Sequence, residues 1–99
     1  MAYAKKVDKN QVLIVKTLRD YGAQVFHLHM VAKGMPDIMC CYADQTILME
    51  VKDGEDKKLT PQQITLFANW IGGPLVRVDD VESALRILRM IDLDDDERC

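Results

Sequence analysis

The chain has no apolar run approaching the ~20 residues that a bilayer crossing needs, and its start, Met1-Ala2-Tyr3-Ala4-Lys5-Lys6, lacks the apolar stretch of a secretion signal. A cytoplasmic protein is therefore expected. Cysteine is scarce, with three in 99 residues. Cys40 and Cys41 are neighbours whose side chains would leave a strand on opposite faces, and Cys99 is terminal. That pattern provides neither a disulfide framework nor a Cys-x-x-Cys zinc site, and small buried apolar side chains are expected instead. There are two histidines, His27 and His29, with no third to complete a histidine metal centre, so partly exposed strand residues are expected. Positive charge is short as well: 13 Lys and Arg stand against 16 Asp and Glu, a formal net charge of −3. The basic excess common in nucleic-acid-binding proteins is absent. Much of the acid, however, lies in Asp92, Asp94, Asp95, Asp96 and Glu97, expected to form a solvated tail over 91–99. Setting those five aside leaves 13 basic against 11 acidic residues. Internal repeats and low-complexity segments are also missing, and the length suits a single domain over 1–99.

What is present is an ordinary globular composition, 48% apolar and 29% charged, with clear periodicities. Residues 8–21 predict a helix, with Val12, Val15, Leu18 and either Leu13 or Ile14 as its apolar stripe. Asp8 or Asn10 is its expected cap and Gly22 its stop. Residues 24–30 alternate with period two and predict a strand carrying His27 and His29 on one face. Residues 33–36 form a turn, 37–42 a second strand, 43–45 a turn, and 46–52 a third strand, the last two strands making a hairpin. A charged loop over 53–58 follows. Thr60-Pro61-Gln62-Gln63 combines a helix cap, proline at the first helical position and glutamine three after the cap. The helix it starts ends before Gly72-Gly73-Pro74. Residues 75–78 predict a short strand. Asp79 or Asp80 then caps a last helix with Val81, Ala84, Leu85, Leu88 and Ile91 inward. The order α-β-β-β-α-β-α describes an α/β domain with a mixed sheet, parallel where strand 52 returns through a helix to strand 75.

Pro36-Asp37 is followed thirteen residues after the aspartate by Glu50-Val51-Lys52. On a strand, Glu50 and Lys52 project to one face and Val51 to the other, into the core. Asp37 at the start of one hairpin strand and Glu50 near the end of the next can lie side by side. Two carboxylates suffice to hold a hydrated Mg²⁺, and the Val51 carbonyl is a third candidate ligand. A bound divalent ion can polarise a phosphoryl oxygen, and a neighbouring lysine can orient the nucleophile or stabilise developing charge. The structural alternatives are an aspartate in a turn, an exposed Glu–Lys pair on a strand, and for Gln63 a capping box alone.

Gly34-x-Pro36-Asp37, the following strand, Glu50-Val51-Lys52, Leu59-Thr60-x-x-Gln63 and Gly72-Gly73, in that order, resemble the PD-(D/E)xK nuclease superfamily. The likeness is to its VRR-NUC branch in the stand-alone virus- or prophage-type form, and it spans roughly 8–90. The Val-Arg-Arg triplet that gives the branch its name is absent, the nearest sequence being Val76-Arg77-Val78. The resemblance implies a restriction-endonuclease-like fold, Asp37 and Glu50 as ligands of Mg²⁺ or Mn²⁺, and Lys52 completing the catalytic set. By the same likeness Gln63 lies near the metal, and Gln11, one turn after Asp8, stands where many members carry an acid, although the residues alone make Gln11 a solvated helix position. Lys33, Lys57 and Lys58 are expected to be solvated, with DNA-phosphate contact as a second role because their loops border the expected site. The implied activity is a structure-selective DNA endonuclease resolving four-way (Holliday) junctions as a homodimer, in a bacterial or virus-infected host cell. A nuclease for flaps or DNA ends, and a non-catalytic DNA-binding module on a degenerate nuclease fold, are the alternatives.

Overall fold

The structure, a computed structural model, describes residues 9–32 and 34–97. Its elements are α1 (Lys9–Tyr21), β1 (Gln24–His27), β2 (Ile38–Tyr42), β3 (Gln45–Val51), α2 (Pro61–Asn69), β4 (Leu75–Val78) and α3 (Val81–Glu97). The sheet runs β1-β2-β3-β4, antiparallel between the first three strands and parallel between β3 and β4. This is the order and mixed topology that the periodicities predict.

Local chemistry explains most boundaries. On α1 the stripe Gln11, Ile14, Val15 and Leu18 repeats every three to four residues and is buried. Of the two expected alternatives, Ile14 faces inward, while Leu13 and Val12 are more than half exposed. Gly22 adopts φ +114°, and Ala23 N–H donates to Leu18 O while Gly22 N–H donates to Arg19 O, the closing bonds of a glycine C-cap. The hairpin between β2 and β3 turns on two residues, Ala43 and Asp44, both at positive φ. That is the tight turn whose twist matches its strands. Gln45, expected in the turn, already pairs with Tyr42. At α3 the cap is Asp80, whose Oδ1 accepts from Ser83 N–H at 2.7 Å while Ser83 Oγ accepts from Asp79 and Asp80 N–H. The bonds from Ser83 hold the Asp80 carboxyl below the usual aspartate range.

The core lies between one sheet face and the pair α1 and α3. Ile14 and Leu18 meet Ile38, Cys40, Ile47, Met49, Val78, Ala84 and Leu88, all fully or almost fully buried. The cross-strand register Val25–Cys40–Ile47 and Ile38–Met49–Val76 puts the strand members on that same face. Burial raises the Cys40 thiol to about 11, consistent with an inert core side chain. The opposite face carries Phe26, Met39, Cys41, Leu48 and Leu75, none of them fully buried, and α2 contributes no buried residue.

Three expectations are corrected. The tail expected over 91–99 is helix through Glu97, with Ile91 buried, while Asp94 and Asp95 are exposed as expected. Asp92 is fixed there by two phenols, accepting from Tyr21 at 2.7 Å and Tyr42 at 2.8 Å. Helical period, carried on by Leu88 and Ile91, outweighs the local charge. Secondly, β1 stops at His27: Leu28 N–H makes one more bond toward the next strand, to Asp37 O, and the chain then turns, Val31 N–H reaching Leu28 O. His29 thus lies in a turn. Finally, Asn10 sits inside α1 rather than capping it; Asp8 and Lys33 lie outside the described residues.

Candidate active site

The C-terminal ends of β1, β3 and β4, the N-terminal end of β2 and the start of α1 all meet at one end of the sheet. Asp37 immediately precedes β2 and Glu50 is the penultimate residue of β3. Both are buried, at 6% and 2% exposure, so Glu50 is not the exposed strand residue of the simpler alternative, while Asp37 lies in a bend at the start of its strand. What joins them is a hydrogen bond: Val51 N–H donates to Asp37 Oδ2 at 2.9 Å. The Asp37 carboxylate therefore sits on the peptide that links Glu50 to Val51. Alternation turns Val51 into the core, at 6% exposure, and Glu50 to the other face.

Lys52 follows the last strand residue and is half-buried. Its N–H donates to Val78 O at 2.9 Å, so β4 holds its backbone in line with the ladder. Glu50 is aligned with Arg77 in the parallel register. Arg77 Nε donates to Asp79 Oδ1 at 2.8 Å and its Nη2 donates to Gly54 O at 3.0 Å. This guanidinium ties down the loop that carries Lys57 and Lys58, both exposed.

Gln11 is buried, at 4% exposure, rather than solvated. Its Nε2 lies 3.1 Å from His27 Nδ1. An amide nitrogen can only donate, so Nδ1 accepts and the ring proton resides on Nε2. Burial, then the fields of His29 and Arg19, lower the His27 pKa, which favours that neutral form. Gln63 is engaged at the start of α2: its Oε1 accepts from Thr60 N–H at 2.9 Å and its N–H donates to Thr60 Oγ1 at 3.2 Å. The reciprocal capping box is the role this geometry gives it.

The donor set suits a hard divalent cation. Two buried carboxylates and the Val51 carbonyl would offer only oxygen donors, the kind that Mg²⁺ or Mn²⁺ takes. Among the described residues no three His, Cys, Asp or Glu side chains converge as a metal-holding group. Sequence reasoning missed Asn10, Arg77 and Asp79. The register of β4 against β3 brings Arg77 and Asp79 to the site and the docking of α1 brings Asn10, and neither long-range pairing leaves a mark in the local sequence.

A mixed four-stranded sheet in this order, with an aspartate before its second strand and Glu-x-Lys at the end of its third, is the nuclease-type fold expected from the motifs. No protein-family model matches the chain, and no curated protein matches it. Among solved structures a VRR_NUC domain is similar, with a TM-score of 0.69 and 19% sequence identity over 82% of this chain and 91% of that chain. The chain therefore has the VRR-NUC fold; at that identity the likeness is one of architecture.

Proposed function

We propose that this protein is a metal-dependent, structure-selective DNA endonuclease that resolves four-way junctions as a homodimer. The observation that carries the reading is the bond from Val51 N–H to Asp37 Oδ2, which sets two buried carboxylates at adjoining strand ends. Asp37, Glu50 and the Val51 carbonyl would hold Mg²⁺ or Mn²⁺, and a metal so held supplies charge neutralisation for an already anionic phosphodiester and a hydroxide source near neutral pH. Lys52, on the face of Glu50, orients the attacking water or stabilises charge developing on phosphorus. Lys57 and Lys58, with Lys33, meet the flanking phosphates.

Dimerisation draws support from the uncovered side of the molecule. Ile64 is 55% and Ile71 99% exposed, α2 contributes no buried residue, and the sheet face away from α1 and α3 carries Phe26, Met39 and Leu48 incompletely buried. A two-fold pair would cover that surface and present two active sites to a symmetric junction.

Purified protein with a four-way junction and Mg²⁺ or Mn²⁺ should give paired, symmetric nicks that disappear with Lys52→Ala. Undiminished cleavage by that variant overturns the role of Lys52. Cleavage confined to flaps or ends on a parallel substrate panel replaces junction resolution with the alternative nuclease activity. A specific observation, Gln11 where an acid was expected and bonded to His27, favours the non-catalytic module as a second reading. Junction binding without cleavage under either metal selects it.

A further inference from the structure

We infer that Asn10 is the positioning residue for Lys52, an inference that rests on the nuclease reading above. β3 leaves the ladder at Val51, so Lys52 stands at the first position where strand pairing no longer holds the chain on both sides. Its N–H is held by Val78 O. Its carbonyl is held by Asn10, whose Nδ2 donates to Lys52 O at 2.8 Å and to Asp79 O at 2.9 Å. A carboxamide nitrogen carries two hydrogens, so one side chain from the first turn of α1 bridges the ends of β3 and β4 with both.

With its N–H and C=O both bound, the peptide planes on either side of the Lys52 Cα are set, and with them the direction in which its Cβ leaves the chain. A lysine reaches its ammonium through a flexible four-carbon stem, so a fixed root is what limits where the charge can go. Asp79 extends the same support. Its N–H donates to Ser83 Oγ at 2.9 Å, and its carboxylate accepts from Arg77, which also holds Gly54 O. Asn10 thus links the catalytic lysine to the start of α3 and, through Asp79 and Arg77, to the lysine-bearing loop. It acts through Lys52 without touching DNA.

The test compares Asn10→Ala, Asn10→Asp and Asp92→Ala in single-turnover junction cleavage, junction-binding and thermal-melting assays. An aspartate in the first helical turn favours the helix yet offers no hydrogen to either carbonyl. Asn10→Asp therefore separates lost positioning from lost helix. Both Asn10 variants should cleave on the order of 10- to 100-fold more slowly at saturating DNA and metal, the scale of a misplaced catalytic group. Junction Kd should stay within about twofold, since bulk phosphate contacts are untouched. Asp92→Ala removes the acceptor of the Tyr21 and Tyr42 hydroxyls, at the hairpin end of the sheet away from Lys52, and should lower the melting temperature while leaving the rate unchanged. Asn10 variants that only melt earlier, with the wild-type rate, overturn the inference alone. An inactive wild-type protein overturns the nuclease reading, and this inference with it.

Discussion

Replacing Asp37 in two ways separates its structural bond from its charge. Asp37→Ala removes the acceptor of Val51 N–H, a group at a residue only 6% exposed, with little water to replace the bond. A hydrogen bond to a charged acceptor contributes about 1.5–3 kcal/mol, and an orphaned buried donor costs a similar amount. A loss of about 2 kcal/mol in a domain of this size lowers the melting temperature by about 8–16 °C. Asp37→Asn keeps an oxygen of the same shape in place. The weaker neutral bond is offset by no longer burying a carboxylate, so this variant should melt within a few degrees of wild type. Metal binding should separate them differently. Saturating Mg²⁺ at about 100 times its Kd stabilises a folded binder by about 2.7 kcal/mol, so wild-type protein should melt higher with Mg²⁺ while neither variant responds. Calorimetric scans with and without metal read all three quantities. An Asp37→Ala protein that melts with wild type refutes the structural bond. An Asp37→Asn protein that keeps the full Mg²⁺ shift refutes Asp37 as a ligand.

Leu88, fully buried between α1 and the sheet, should cost about 2–5 kcal/mol as Leu88→Ala in chemical denaturation, through lost transfer energy and the cavity left behind. The Tyr21–Asp92–Tyr42 clasp should make stability pH-dependent at both extremes. Hydrogen bonds from the two phenols lower the Asp92 pKa, so that contribution is present above the ordinary carboxylate value of about 4 and is lost as pH falls through the depressed one. The bond to Asp92 raises Tyr42 to about 12 and raises Tyr21 too, so the stability from the phenols is full below about pH 10 and is lost as pH rises toward about 12. Asp92→Asn should flatten both limbs of a melting-temperature profile relative to wild type; parallel profiles would refute the clasp. Gln63→Glu preserves a capping box and should leave the stability of the helix start unchanged. Unimpaired cleavage by that variant confines Gln63 to capping, whereas a lost rate at unchanged melting temperature places it in the reaction.

Element identities were legible because their signals are local. The stripe Ile14, Val15, Leu18, the capping box Thr60–Gln63 and the glycine stop at Gly22 each act within a turn or two of helix. The errors fell where distant contacts compete with local composition. Five acids in six residues look like a solvated tail, yet Ile91 and the phenols at Asp92 hold them in α3. Period-two alternation from Gln24 to Met30 looks like one long strand, yet the chain leaves β2 after Leu28 reaches Asp37 O. For the site, the motif spacing pointed to Asp37, Glu50 and Lys52, since a tight hairpin returns one strand end beside the other.

The linear order of residues by itself determined the α-β-β-β-α-β-α pattern, the hairpin that brings Asp37 toward Glu50, and the turning of Val51 away from Glu50, because helix and strand periods and turn chemistry operate between near neighbours. Only the tertiary structure decided that both carboxylates are buried with Asp37 on the Val51 N–H, that Gln11 turns inward to His27, and that Asn10 bridges the carbonyls of Lys52 and Asp79. Those contacts depend on the parallel register of β4 on β3 and on how α1 docks across the strand ends. Such long-range pairings are selected by burial and hydrogen-bond satisfaction over the whole domain, and no short stretch of sequence specifies them.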